Sequence, residues 1–149
     1  MLVADVCNRE VVIADPNLSV LEGAKLMRQH HVGTLVVVEP SDEGTTPIGI
    51  VTDRDIVLKV LGEGLKVDDV PLGDVMSQTL HQINEGAGLY DAYTIMRSKG
   101  VRRLPVVGAD NGLVGILSAD DLIEIIAEQI NELVALISRE QVQERRLRS

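Results

Sequence analysis

Residues 49–55 read "GIVTDRD", and residues 115–121 read "GILSADD". Each stretch holds a glycine, two aliphatic residues, a hydroxyl and, three residues after the hydroxyl, an aspartate. Each reads as a buried strand running into a helix. Thr52 or Ser118 then stands as the N-cap, with Asp55 or Asp121 at the third helical position. Such a pair caps a helix start reciprocally. One such pair is only a cap; two in one chain of 149 residues raise the question of a repeat.

Working outward, residues 6–38 align without a gap to residues 75–107, a shift of 69. Val6 meets Val75, Met27 meets Met96, Arg28 meets Arg97 and Val32 meets Val101. Leu35, Val37 and Val38 meet Leu104, Val106 and Val107. Beyond this the shift falls to 66, and Gly49, Ile50 and Asp55 meet Gly115, Ile116 and Asp121. The lost residues lie between "EPSDEGTTP" and "GADNG", polar loops in which length changes are tolerated.

Each unit reads in the same order. "EVVIAD" (10–15) is a short strand rich in β-branched residues. "LSVLEGAKLMRQHH" (18–31) opens with Ser19 and Glu22 at capping-box spacing, and Leu21, Ala24 and Met27 then recur at helical spacing. "TLVVVE" (34–39) is apolar enough for a buried strand, and "IGIVT" (48–52) pairs with it as a hairpin. "DRDIVLKVLGEG" (53–64) is a helix ending at its glycines. The second unit supplies "LHQI", "LYDAYTIMRSKG", "RLPVVG", "LVGILS" and a helix from about Ala119. The fold class expected is α+β, two β-α-β-β-α repeats about a pseudo-twofold axis with an extended C-terminal helix. The expected divisions are a first repeat over 1–65, a link over 66–74, a second repeat over 75–130 and a helical extension over 131–149. Neither unit alone has enough residues for a secure core, so the two are expected to share one. The stripe Leu122, Ile126, Ile130, Leu133, Ile137 on the last helix suits either cover for that core or the same helix of a second chain. The dimer contact is the preferred reading.

Composition narrows the function. The net charge of −9 repels phosphate backbones and anionic lipid, which argues against nucleic acid and membrane as partners. Hydrophobic residues make up 45% of the chain, yet there is no Trp or Phe, so the core is aliphatic. Cys7 is the only cysteine, which excludes an internal disulfide. No basic flank with an apolar run marks a signal peptide, and no segment approaches the roughly 20 apolar residues of a membrane span. The expectation is a soluble cytoplasmic protein.

Two features carry chemistry. A helix start favours an anion, a hydroxyl reaches phosphate or sugar oxygens, and an Asp carboxylate accepts from both hydroxyls of a ribose. "GVRRLPVV" (100–107) sets Arg102 and Arg103 before a buried strand, where two guanidinium groups hold phosphate bidentately. The first unit has "HVGTLVVV" there, with Gly33 and Thr34 in place of the arginines, so the units are chemically unequal. The bland alternatives are helix caps and solvated arginines. Asp53 and Asp55 point apart on a helix start and do not suggest a metal. The adjacent His30 and His31 lack the i, i+4 spacing of shared ligands. Cys7 has no partner for reactivity and reads as an inert thiol, and Tyr90 and Tyr93 read as packing residues.

The repeat order, "GVRRLPVV" and the two G-aliphatic-aliphatic-T/S-x-x-D elements together resemble a tandem pair of CBS domains, over about residues 3–130. The resemblance implies a stand-alone bacterial-type regulatory module, a disc that often dimerises. It also implies adenosine compounds (AMP, ADP, ATP, NAD or S-adenosylmethionine) as ligands, bound in clefts between the repeats, and no catalytic cofactor. Asp55 and Asp121 would then take ribose hydroxyls, Thr52 and Ser118 would assist at phosphate or ribose, and Arg102 and Arg103 would reach phosphates. The base pocket of the Asp121 site would draw on Cys7, Val12, Val32 and Gly33. That of the Asp55 site would draw on Met76, His81, Val101 and Arg102, with Ile50 and Ile116 against the base. Unit one departs from the pattern in having Val36 for the proline of "RLPVV" and in lacking the basic pair, and His81 is large for a base pocket. Two clefts of unequal strength are expected.

The leading reading is a homodimeric sensor that binds an adenosine ligand and signals by conformational change to a downstream protein the sequence does not name. The alternative is a structural or dimerisation module without a physiological ligand. No nucleophile-base pair, metal cluster or Walker sequence supports an enzyme.

Overall fold

The computed structural model describes residues 1–41 and 44–148. It contains two three-stranded sheets of identical topology. The first holds β1 (Ile13–Ala14), β2 (Thr34–Ser41) and β3 (Gly44–Thr52); the second holds β4 (Ile83–Asn84), β5 (Arg103–Val107) and β6 (Leu113–Ser118). In each, the short first strand is parallel to the second, and the second and third form an antiparallel hairpin. The register reproduces the sequence alignment. Thr34 opposes Thr52 where Arg103 opposes Ser118, and the bulge at Val37/Val38 returns at Val106/Val107. The first hairpin is longer than expected, its strands extending to Ser41 and Gly44. Asp42 and Glu43, in the loop to which the length change is assigned, lie outside the described residues.

Helix α2 (Val20–His30) crosses between β1 and β2, and α5 (Leu89–Lys99) repeats it. Ser19 caps α2 by accepting the Glu22 N–H at 3.1 Å. Gly88 stands in that place in α5 and makes no side-chain cap. Both helices end on a left-handed residue, His31 and Gly100. His30 and His31 are exposed, as expected. Tyr93 packs on the second core, but Tyr90 is 75% exposed and corrects the reading of both tyrosines as packing residues.

Two short helices cross between the halves. Helix α1 (Val3–Val6) precedes the first sheet, yet Val3 is fully buried in the core of the second. Helix α4 (Leu72–Val75) precedes the second sheet, yet Leu72 and Val75 are buried in the core of the first. The 66–74 segment, read as a link, thus packs Leu72 into the first core, with Val67 and Val70 against it. Val3 and Leu72 are aligned by the shift of 69. There are accordingly two cores, each completed by a segment from the other half, rather than one shared core.

The helices after the hairpins differ. Helix α3 (Asp53–Ile56) widens into a π turn over Val57–Leu61, with Gly62 N–H donating to the Val57 carbonyl at 2.7 Å. It ends before Gly64, whose φ of +70° suits a residue without a side chain. Helix α6 (Ala119–Arg148) lacks glycine and runs 30 residues. Of its apolar stripe only Leu122 is buried; Ile126, Ile130, Leu133 and Ile137 are 40–59% exposed. The stripe does not cover the chain's own core. No helix among the described residues is long and apolar enough to cross a membrane.

Candidate functional site

The exchange of α1 and α4 brings the following residues onto the opposite hairpin. The Asn8 N–H donates to the Ile116 carbonyl, and the Ile116 N–H returns a bond to the Asn8 carbonyl, both at 2.9 Å. Across the pseudo-axis, the Ser77 N–H donates to the Ile50 carbonyl at 3.0 Å, and Ser77 Oγ accepts the Ile50 N–H at 3.1 Å. This explains the glycine that opens each repeated heptapeptide. A Cβ on Gly115 would lie 2.9 Å from the Asn8 carbonyl oxygen and 3.0 Å from Cys7 Sγ. A Cβ on Gly49 would lie 2.6 Å from Met76 Sδ. Only a residue without a side chain admits the crossing segment this closely.

The crossing closes two clefts. One, of about 360 Å³, contains Ile50, Thr52 and Asp55 of the first half and Ser77, Thr79, Leu80, His81, Gly100, Val101, Arg102 and Arg103 of the second. The other, of about 250 Å³, contains Ile116, Ser118, Asp120 and Asp121 of the second half and Asn8, Glu10, Val11, Val12, Val32, Gly33 and Thr34 of the first, with Arg103 at its edge. Ten residues of one cleft are the repeat partners of ten in the other.

The structure therefore brings together thirteen of the fifteen residues singled out in the sequence. Cys7 and Met76 do not line the clefts. They sit against Gly115 and Gly49 instead. Burial pushes the Cys7 thiol up from its usual range, against a smaller opposite pull from Arg9. The lining residues that were missed are Asn8, Glu10 and Val11, their partners Ser77, Thr79 and Leu80 at the shift of 69, and Thr34, Gly100 and Asp120. Extending the alignment through the clefts was the signal that finds them.

Both capping boxes form. Thr52 Oγ1 accepts the Asp55 N–H at 3.2 Å, and Asp55 Oδ2 accepts the Thr52 N–H at 2.9 Å. Ser118 Oγ accepts the Asp121 N–H at 3.1 Å, and Asp121 Oδ2 accepts the Ser118 N–H at 3.2 Å. Each carboxylate thus uses one oxygen for the cap. Its position is fixed before any ligand arrives. The helix starts offer fewer free N–H groups to an anion than expected. The Asp53 N–H donates to the Gly33 carbonyl at 2.9 Å and the Ala119 N–H to the Arg102 carbonyl at 2.8 Å. Asp53 Oδ1 accepts the Arg54 N–H.

The clefts differ in charge. Asp55 Oδ1 is paired at 3.2 Å with Lys59, whose Nζ also donates to the Val75 carbonyl at 3.1 Å. Ile125 takes the place of Lys59 in the second half, and Asp121 has no ion pair among the described residues. Arg102, in the first cleft, pairs with Asp120 of the second at 3.2 Å, with both side chains over 70% exposed. Salt screens such a pair strongly. Among the described residues no cluster of His, Cys, Asp or Glu is suited to a metal ion.

Comparison with known proteins adds four findings. The CBS domain pattern matches residues 3–62 and again 72–128. CBS domain-containing protein YhcV of Bacillus subtilis is 39% identical over 120 residues, 80% of this chain and 81% of that protein. An uncharacterized protein of Methanopyrus kandleri is 37% identical over 123 residues, 83% of this chain and 61% of its own length. Among solved structures, the CBS domain pair of protein MJ0100, in complex with 5′-methylthioadenosine and S-adenosyl-L-methionine, superposes with a TM-score of 0.72. It is 25% identical and covers 85% of this chain and 99% of that one.

Proposed function

The chain belongs to the CBS-domain family as a tandem pair, and from that premise we propose that it is a regulatory module that binds adenosine-containing compounds in its two inter-repeat clefts. The observation that carries the reading is the matched pair of cavities. Each combines an apolar wall (Ile50 and Val101, or Ile116 and Val32) with a hydroxyl and a pre-positioned carboxylate. An apolar wall suits a base, and an aspartate with a lone-pair face to spare suits a ribose diol. The adenosine ligands of the MJ0100 pair support the same class. Ligand contacts reach both halves of the chain at once. A compound that fits one relative arrangement of the halves better than another shifts the population toward it, and that shift is the signal.

The test is thermal melting and calorimetry with AMP, ATP, NAD and S-adenosylmethionine. A ligand specific to the folded state raises the melting temperature, and Asp55→Ala combined with Asp121→Ala removes the rise. No shift with any compound at millimolar concentration overturns the reading.

The exposed apolar residues of α6 favour a second, compatible role. Ile126, Ile130, Leu133 and Ile137 form a stripe of the kind that pairs helices between subunits. The module on this reading is a homodimer joined through α6. Sedimentation of the wild type against an Ile130→Asp, Leu133→Asp variant decides it: a dimer becomes a monomer, and a monomeric wild type refutes the role.

A further inference from the structure

We infer that the two clefts sort adenosine compounds by the charge of the 5′ substituent: the Asp55 cleft takes phosphorylated ligands, and the Asp121 cleft takes ligands whose 5′ group is uncharged or cationic. The inference rests on the adenosine-binding reading and adds to it the class of ligand each cleft accepts.

The argument compares repeat partners that line the cavities. Where the Asp55 cleft has Arg102 and Arg103, the Asp121 cleft has Gly33 and Thr34. Where the first has Thr79 and His81, the second has Glu10 and Val12. The Asp55 cleft thus sets two guanidinium groups against one carboxylate, and that carboxylate is already paired with Lys59. The Asp121 cleft sets Glu10, Asp120 and Asp121 against Arg103 alone, and Arg103 also borders the other cavity. Even with Asp120 held by Arg102, two carboxylates face one shared cation. A phosphate entering there meets like charge where the other cleft supplies guanidinium. At the helix start the Ala119 and Asp121 N–H groups are already bonded within the protein.

The experiment is calorimetry with three probes: ATP, 5′-methylthioadenosine (uncharged) and S-adenosylmethionine (a sulfonium cation). ATP is expected to fill one site. Arg102→Ala weakens it by about tenfold or more, the scale of a lost charge-assisted hydrogen bond, and Glu10→Gln leaves it unchanged. The two unphosphorylated probes are expected to weaken with Asp121→Asn and not to weaken with Arg102→Ala, which releases Asp120 and adds negative charge to their cleft, and Glu10→Gln weakens the sulfonium compound more than the neutral one. A graft, Glu10→Thr with Gly33→Arg, gains an ATP site. A Cβ at Gly33 meets the Asp53 carboxylate first, at 2.9 Å, so that side chain must shift to admit the new residue. ATP filling both wild-type clefts with equal affinity overturns the sorting, as does loss of the unphosphorylated probes on Asp55→Ala with none on Asp121→Asn. Binding of no probe at either cleft overturns the parent reading as well, so the two failures are distinct.

Discussion

Val3 and Leu72 hold equivalent places in the two halves, and so do Cys7 and Met76; each packs into the half to which it does not belong in sequence. Glu10 and Thr79, Gly33 and Arg102, Thr34 and Arg103 are equivalent too, and no pair is alike in charge or size. The first set lies under the strands and the second lines open clefts. Packing positions answer to volume, because an interior at crystal-like density registers every methylene. Cleft positions answer to water and to whatever enters, so their charge can change without disturbing the core. One architecture therefore carries two different sites.

The comparison breaks most visibly if the crossing segments are only connectors. Leu72→Ala is expected to cost about 2–5 kcal/mol, as for other fully buried leucines, and Val3→Ala roughly 2 kcal/mol. Urea unfolding at constant slope measures both. A Leu72→Ala loss under about 1 kcal/mol means that the first core does not need its borrowed helix.

A finer test compares the two glycines. Gly115→Ala drives a Cβ into the Asn8 carbonyl, which is already bonded to Ile116. The cost expected is about 1–3 kcal/mol. Gly49→Ala meets the Met76 side chain first, and a thioether yields more readily, so it is the milder change. Equal losses would mean that both crossings are limited by the same contact.

The smallest effect concerns pH. Burial raises the Cys7 thiol pKa, while Met76 in the other half does not titrate. The unfolded chain then loses its thiol proton first as pH rises. The unfolded state binds fewer protons there, so stability falls with pH once the ordinary thiol range of about 8.5 is reached. Cys7→Met is expected to flatten the melting temperature across that range; an unchanged slope assigns the loss to other groups.

Much of this was legible in the chain because it is written twice. The heptapeptide pair located both caps, and the change of shift from 69 to 66 anticipated the hairpin register. The capping pairs and the arginines were readable from the residues themselves, while the rest of the cleft lining followed only from the resemblance to a CBS pair. The crossing helices were not legible, because four residues are too few to display a helical period. Nor was the π turn after Ile56, where nothing in "VLKVL" marks a wider hydrogen-bond spacing. Tyr90 lay beyond pattern reading because aromatic size does not reveal which way a helix face turns. The lone partner of each missed lining residue was visible, but neutral residues such as Ser77 and Val11 draw no notice without the cavity.

Asp121 stands in the first turn of α6, and the helix runs 30 residues from Ala119. At 1.5 Å per residue that is a rod of about 45 Å, gripped near one end by its capping box. Such a rod is a lever with a very short input arm. A tilt of about 5° at the carboxylate, well under an ångström of motion there, carries the far end through roughly 4 Å. Helix α3, cut off at its glycines, has no comparable reach, so the two clefts differ in mechanical gain as well as in charge.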